Sequence, residues 1–211
     1  MSTRICDGGH TSGKKVLRTP VQARSRATVD AIIGGTARVL AFRGYSGCTT
    51  NHIAEAAGVS IGSFYQYFAD KDAAVGALAE QFAADTLAYS WEHLDDAADE
   101  HGRVHAWICA LASRVATNEA LLRVLFQEVP YIWTLPGVRS AMVGALDVVQ
   151  RLDEVGGHRS QRRRERALIV IKSAVAVLLE IATDTKLAER RDVVVEELAE
   201  MIAGYLEQRR R

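Results

Sequence analysis

Proline, cysteine and net charge are all scarce in this sequence of 211 residues. It contains three prolines and three cysteines, and its formal net charge is zero. Alanine is abundant, and the alternating Val, Ile and Thr patterns of strands are hard to find. The sequence therefore predicts an all-α fold. Apolar residues make up 48% and charged residues 25%, as in an ordinary soluble globular protein.

The cysteines do not point to a disulfide or a metal. Cys6, Cys48 and Cys109 are odd in number and widely spaced, and such spacing defines neither a disulfide framework nor a zinc site. His10, which follows Cys6, completes only a lone C-x3-H pair in a tail. We predict reduced thiols, no metal and no cofactor.

Segments for export or membrane insertion are also missing. The N-terminal residues MSTRICDGGHTSGKK lack the apolar core of a signal peptide. No apolar run approaches the roughly 20 residues that a transmembrane helix needs. We expect a cytoplasmic protein with no membrane partner.

The charge is unevenly distributed along the chain. From Met1 to Asp72 there are nine Lys and Arg against five Asp and Glu, whereas the remainder has seventeen against twenty-one. A basic front part fits a domain that contacts phosphate. Residues 1–20 are rich in Gly, Ser, Thr and basic groups, and they are predicted to be a disordered basic arm.

Helical periodicity runs through most of the remaining chain. Apolar residues recur at spacings of three and four, and glycine or proline marks most of the breaks. The first helix is expected to stop at Gly44, because glycine commonly ends helices. The predicted helices are 25–43, 50–57, 61–68, 71–97, 102–117, 118–128, 137–156, 160–184 and 189–208.

Two short helices joined by the residues AGVS predict a helix-turn-helix within 45–72. Gly58 allows a positive φ at the turn, while Thr49, Ser60 and Asp70 are expected to be N-caps. Phe64 is expected to face the core together with Phe68.

The third helix is expected to present small and polar side chains to DNA. Gly62 leaves room for close backbone approach, and it lies beside Ser63. Gln66 can pair with adenine in a major groove, and Tyr65 and Tyr67 can reach phosphates. The alternative is that both tyrosines are core aromatics with exposed hydroxyls.

The segment closely resembles the tetracycline-repressor (TetR) family signature. The residues that carry the resemblance are Gly44-Tyr45, TTNHIAEAAGVS from Thr49 and IGSFYQYFADKD from Ile61. It covers 24–75, about a quarter of the chain. The family usually has Glu and a leucine pair after the lysine, whereas this chain has Asp72-Ala73-Ala74-Val75, which is expected to loosen the packing of helix four.

The resemblance also implies roles for particular residues. It implies phosphate contacts by Thr50, Tyr65 and Lys71, and it places Ser63 and Tyr67 in or beside the groove. The domains expected are a three-helix DNA-binding domain at 21–72 and a larger helical effector-binding and dimerisation domain at 73–211. The predicted DNA-binding residues are Thr50, Gly62, Ser63, Tyr65, Gln66, Tyr67 and Lys71.

The last two helices are expected to form a dimer interface, because family members are typically homodimers held by a four-helix bundle. Their apolar stripes are wide enough for that role. The alternative is that the same faces only fill the core of one chain. The candidate interface residues are Val170, Ala174, Val177, Ile181, Val194, Leu198, Met201 and Tyr205.

An aromatic-rich stretch between helices four and seven is the candidate ligand pocket. Pockets are mostly apolar with few polar anchors, and Gln127 and Glu128 are among the residues that could provide those anchors. The alternative is that the aromatics form core. The spacing of His101 and His105 fits a metal pair, but Gly102 and a loop expected there argue against one. The candidate pocket residues are Trp91, His105, Trp107, Cys109, Phe126, Tyr131 and Trp133.

These features and the family resemblance predict a ligand-responsive transcription regulator, a repressor that binds DNA as a homodimer and is released by a small molecule. Its expected partners are a near-palindromic DNA operator, a second copy of the chain and a small hydrophobic or aromatic effector. One alternative is a chromosome-organising DNA-binding protein without an effector, and another is a helical interaction module that does not bind DNA. No nucleophile motif, phosphate loop or dinucleotide fingerprint is found, so we do not expect an enzyme.

Overall fold

The computed structural model describes residues 19–94, 99–154 and 163–207, and within them it contains helices and no strand. The predicted all-α fold is confirmed. In these described ranges one 3-10 turn, Ile132–Thr134, lies between two of the helices. The helices are α1 Thr19–Gly47, α2 Thr50–Ala57, α3 Ile61–Tyr67, α4 Lys71–Glu92, α5 Glu100–Thr117, α6 Glu119–Glu128, α7 Pro136–Glu154, α8 Arg163–Thr183, α9 Thr185–Glu189 and α10 Arg191–Glu207.

Three side-chain caps start α2, α3 and α4, as predicted. Thr49 Oγ1 accepts a hydrogen bond from the His52 backbone N–H at 3.2 Å. Ser60 Oγ accepts from Ser63 N–H at 3.0 Å, and Asp70 Oδ1 accepts from Ala73 N–H at 2.8 Å. Each cap satisfies a backbone donor that lacks a helical partner. The starts of the three helices are therefore fixed by local sequence.

Several predicted helix boundaries are wrong. α1 begins at Thr19 and not at 25, so the last two residues of the predicted arm are helical, while 1–18 lie outside the described residues. The predicted stop at Gly44 is a kink inside α1, where φ is 68°. α4 ends at Glu92 and not at 97. The 3-10 turn and α9 were not predicted, because they are shorter than two periods of a helical pattern.

The helix-turn-helix shares one core with part of the larger domain. Ile32, Ile53 and Phe64 are fully buried in it, and α4 and α6 contribute Leu78 and Leu125 to the same cluster. A second core joins α5, α7, α8 and α10. The helix-turn-helix is therefore packed directly on α4 and α6.

Gly35 allows α1 and α2 to approach closely. A Cβ at this buried position would lie 2.9 Å from the backbone nitrogen of Ala57 and 3.0 Å from the carbonyl oxygen of Ile53. Those atoms belong to α2, whose backbone cannot move away without shifting the turn that follows it. The glycine that lowers the helix propensity of α1 is thus required for its packing.

Candidate DNA-binding surface and ligand cavity

Helix α3 is divided into a buried and an exposed face. Phe64 is fully buried and Phe68 is nearly so, and their ring centroids are 5.9 Å apart. The opposite side exposes Gly62, Tyr65 and Gln66 to solvent. Tyr65 is 55% exposed, and Tyr67 is also exposed, so neither tyrosine is a core residue. The alternative that they fill the core is wrong.

Two hydroxyl groups from different helices meet at one edge of this surface. Thr50 Oγ1, in the first turn of α2, lies 3.2 Å from Tyr65 Oη on α3. Both residues were predicted to contact phosphate, and the fold brings them together. Ser63 is less available, because its hydroxyl lies 2.9 Å from Ser60 Oγ and it is partly buried.

No side chain of α3 is charged, since its sequence is IGSFYQY. Contacts from α3 to DNA would therefore be made by hydroxyl, amide and backbone groups. The exposed Thr49, Asn51 and Ile61 lie next to the predicted residues along the chain, and sequence reasoning did not single them out as contacts. Tertiary packing determines which side chains of a short helix are exposed, and the sequence pattern alone did not identify these three as exposed.

Lys71 ties the start of α4 to the end of α1. Its Nζ donates to the carbonyl oxygen of Tyr45 at 3.0 Å and lies 4.1 Å from the centroid of the Tyr45 ring. Tyr45 Oη in turn donates to Asp72 Oδ1 at 2.7 Å. Burial is the larger cause and this bond to a carboxylate the smaller cause of the raised pKa of the Tyr45 hydroxyl. The predicted phosphate ligand is thus also a structural contact.

The start of α4, where looser packing was expected, has residues buried in the first core. Ala74 and Val75 replace the leucine pair that is usual in the resembled signature, yet both are fully buried in the first core. Tyr131 donates a hydrogen bond to the carbonyl oxygen of Asp72 at 3.4 Å and packs edge-on against Tyr45. These aromatic rings occupy the space beside the start of α4.

Glu128 provides a second tie between the larger domain and α1. It is the last residue of α6, and its Oε2 accepts from the Tyr45 backbone N–H at 2.8 Å. A Cβ at Gly44 would lie 2.9 Å from the same oxygen. Glu128 was considered as a pocket anchor, but it contacts the kink of α1 instead. No local pattern could have indicated a partner 83 residues away.

A cavity of about 160 Å³ lies between α4, α5, α6, α7 and α8. Of the predicted pocket residues, Trp107, Phe126 and Trp133 line it. Only a few lining side chains are polar, among them Thr86, Ser90 and Arg114. The apolar remainder of its lining includes Ala79, Phe82, Ala83, Leu87, Leu111, Leu122, Leu125, Ile132, Met142, Ile171, Ala174, Leu178 and Leu179.

The other four predicted pocket residues lie elsewhere, so that part of the prediction is wrong. Trp91 is exposed near the end of α4, and Tyr131 packs against Tyr45. His105 and Cys109 lie on the side of α5 that faces α10. Residues four apart share one helix face, and this face differs from the one that carries Trp107 to the cavity.

Two histidines of α5 pair with glutamates of α10. His101 Nε2 lies 2.9 Å from Glu200 Oε1, and His105 Nε2 lies 2.7 Å from Glu196 Oε2. The hydrogen bond to Glu200 raises the pKa of His101. The loop expected at these histidines is wrong, since α5 begins at Glu100. Within the described ranges, no group of three or more metal-binding side chains is found.

The predicted interface residues are mostly internal to one chain. Val170, Ala174, Ile181 and Leu198 are buried in the second core, whereas Val177, Val194 and Tyr205 are partly buried against it. Those residues largely fill the monomer, and α8 and α10 pack through them onto their own chain. Met201 alone in the predicted set is exposed, at 53%.

The outer faces of α8 and α10 carry a different apolar set. Leu168 and Ile169 are 47% and 51% exposed on α8, and Val193 is 53% exposed on α10. Together with Met201 they form what we call the outer stripe. Sequence periodicity selected the inward faces of these helices as the candidate interface, because both faces of each helix carry apolar residues.

A compact helical unit whose second short helix exposes its polar face defines a helix-turn-helix DNA-binding protein. Residues 32–78 match the family model described as bacterial regulatory proteins, tetR family. This segment of the chain is therefore a DNA-binding domain of that family, whose members are described as bacterial regulatory proteins. The resemblance found in the sequence is confirmed.

Solved structures share this fold over most of the chain. The fatty acid degradation regulator FadR of Bacillus halodurans has 19% identity and a TM-score of 0.64, covering 87% of this chain and 96% of its own. A transcriptional regulator of Rhodococcus sp. Rha1 has 17% identity and a TM-score of 0.69, covering 85% and 96%. FadR of Bacillus subtilis, solved with stearoyl-CoA, has 18% identity and a TM-score of 0.62, covering 84% and 96%.

No curated protein sequence matches the chain significantly. In the part of the chain that the structure describes, no helix is long and apolar enough to cross a membrane.

Proposed function

We propose that this protein is a repressor that binds a near-palindromic operator as a homodimer and leaves it when a small molecule occupies the cavity. The main support for this proposal is that two helices belong both to the cavity wall and to the core of the helix-turn-helix. α4 and α6 line the cavity and also belong to the core of the helix-turn-helix. The cavity supports this function over a chromosome-organising protein without an effector.

The DNA contacts proposed here follow from the exposure of α3. Gln66 and Tyr67 would enter the major groove, where an amide can recognise adenine. Tyr65 and Thr50 would bind phosphate through their adjacent hydroxyls, and the bare backbone at Gly62 would allow close approach. Ser63 contributes less, since its hydroxyl already contacts Ser60. Lys71 would share its charge between phosphate and Tyr45.

Selection from a random duplex DNA library tests DNA recognition. The unmodified protein should enrich an inverted repeat. The double variant Tyr65→Ala, Gln66→Ala should lose that enrichment, because it removes two exposed contacts and no buried group. Ser140→Ala, exposed on α7, is the matched control and should retain it. Failure of the folded native protein to enrich any sequence at low salt would contradict the proposal.

The outer stripe supports the homodimer. Exposed apolar side chains scattered singly are ordinary, but Leu168 and Ile169 on α8 accompany Val193 and Met201 on the neighbouring helix α10. A second copy would cover the stripe in a symmetric four-helix arrangement. Two chains would then present two recognition helices to successive half-sites.

The oligomeric state tests this interface. Ile169→Glu and Met201→Glu each place a charge in the stripe, and both should shift the protein towards monomer in sedimentation velocity. Val143→Glu is the control, because Val143 is also exposed, at 59%, but lies on α7. If all three variants sediment like the native protein, the stripe is not the interface.

Effector coupling is proposed to run through α6. Leu122, Leu125 and Phe126 contact the cavity, and Glu128 at the end of the same helix holds the Tyr45 backbone. A ligand that binds better to one position of α6 would shift the α1 kink and, with it, the spacing of the two recognition helices. Binding of stearoyl-CoA by the FadR of Bacillus subtilis is consistent with a ligand site in this fold.

A further inference from the structure

We propose that the cavity takes a small carboxylate, with Arg114 binding the carboxylate group and the apolar walls enclosing the rest of the molecule. The proposal rests on the ligand-responsive function above and specifies its ligand. Arg114 is a basic side chain in a lining that is otherwise almost wholly apolar. Such a lining recognises an apolar body, whereas a guanidinium recognises an anion.

The guanidinium of Arg114 is held in place, and no carboxylate among the described residues compensates its charge. Its Nε donates to Thr86 Oγ1 at 2.9 Å. Its central carbon lies 5.0 Å from the centroid of Phe82 and 5.6 Å from that of Tyr89. Within the described residues, no carboxylate lies within ion-pair distance of it. The two terminal nitrogens therefore have donors free for a bidentate contact.

Thr86 determines which nitrogen of Arg114 is engaged. It accepts a hydrogen bond from Nε and leaves the two terminal nitrogens of the guanidinium available to a ligand. The Thr86 hydroxyl donates to the Phe82 carbonyl at 2.7 Å, so its oxygen accepts from Arg114. The guanidinium is thereby oriented by α4, a helix that also lines the cavity. Preorganisation of this kind lowers the ordering cost of binding.

Trp107 is a second and independent indication of a polar ligand atom. It lines the cavity and is 1% exposed. Its indole N–H is buried and has no acceptor among the described residues. Buried donors in native proteins are nearly always satisfied, so an acceptor on a bound molecule would complete this site. Trp107 and Arg114 are seven residues apart and share the cavity face of α5.

The size of the cavity limits the ligand. About 160 Å³ is similar to an engineered apolar cavity of roughly 150 Å³ that binds benzene. A single aromatic ring or a short alkyl chain with one carboxylate fits that space. Phenylacetate and octanoate are therefore suitable probes, and phenylacetamide and octanamide are their uncharged matches.

Titration of the four probes against the full chain, followed by tryptophan fluorescence, tests the proposal. In the native protein at least one carboxylate should bind tenfold or more tightly than its amide, a difference of about 1.4 kcal/mol. Arg114→Met should reduce that ratio to near one and leave amide binding within a factor of three. Arg123→Met is the matched control, since Arg123 pairs with Glu119 outside the cavity and should keep the ratio.

Three results would overturn the proposal: equal binding of carboxylate and amide to native protein, no binding of any probe at 1 mM (a concentration of weak binding, about −4 kcal/mol), or a ratio unchanged in Arg114→Met. If Arg114→Met does not fold, the ratio of carboxylate to amide affinity is compared between the native protein and Arg114→Lys, and that comparison decides the test. Release of operator DNA is measured separately. Carboxylate binding without release would contradict the coupling but keep the anion site.

Discussion

Adjacent glycines of α1 should respond in opposite ways to the same substitution. Replacing a helical glycine with alanine stabilises a helix by about 1 kcal/mol when space allows. At Gly34 an added Cβ would meet only the flexible end of Arg38, at 3.5 Å, which is ordinary contact. At Gly35 it would meet the Ala57 backbone at 2.9 Å. Overpacking of that kind costs about 1–3 kcal/mol.

The difference between Gly34→Ala and Gly35→Ala isolates the packing cost, because the change in helix propensity is common to both. We expect Gly34→Ala to raise the melting temperature and Gly35→Ala to lower it or leave it unchanged. For a chain of this size, 1 kcal/mol corresponds to roughly 2–4 °C, so the two variants should differ by about 2–12 °C.

Thermal unfolding at matched protein concentration measures this difference, since the proposed dimerisation would make the midpoint depend on concentration. Gly35→Ala should also weaken operator binding, because relief of the contact moves α2 and the recognition helix behind it. Equal stabilisation by both substitutions would refute the close approach of α1 and α2 on which the position of the DNA-binding unit depends.

Three further predictions concern single side chains. Glu128→Gln should keep the bond to Tyr45 N–H but weaken it, reducing effector-induced DNA release in anisotropy assays; an unchanged response would exclude this route. Tyr65→Phe should lower operator affinity two- to tenfold, up to about 1.4 kcal/mol, while scrambled DNA is affected similarly, as expected of a phosphate contact. His101→Asn should remove a stability contribution that is complete below about pH 6.5 and lost as the pH rises through the raised pKa of His101. Because this pair with Glu200 is exposed, the effect should stay within about 0–1 kcal/mol in melts from pH 6 to 9, and identical pH profiles would contradict it.

Local sequence was sufficient for the helix-turn-helix. The caps at Thr49, Ser60 and Asp70 depend on contacts within three residues, and the glycine turn at Gly58 has the expected positive φ of 68°. Caps and turns of this kind depend only on residues that are close together in the sequence, so the sequence is sufficient to predict them. Phe64 is also buried as predicted, because its short amphipathic helix has only one apolar face.

The sites of the larger domain depended on contacts that sequence periodicity does not contain. The aromatic stretch pointed to the right region, but of the seven predicted pocket residues only Trp107, Phe126 and Trp133 line the cavity. Arg114 was missed because one basic residue in a helix carries no signal until its surroundings are known. The exposed outer stripe was not distinguished from the buried side, because α8 and α10 are apolar on two faces.

The central claim is that two copies of this chain bind one operator through α3. Anisotropy titration of the selected duplex over a series of salt concentrations, with stoichiometry from sedimentation, tests it most directly. We predict two chains per duplex, and an affinity that falls linearly with salt on a double-logarithmic plot as phosphate contacts release counterions. Binding that is independent of salt, or equal for the selected and scrambled duplexes, would contradict the account.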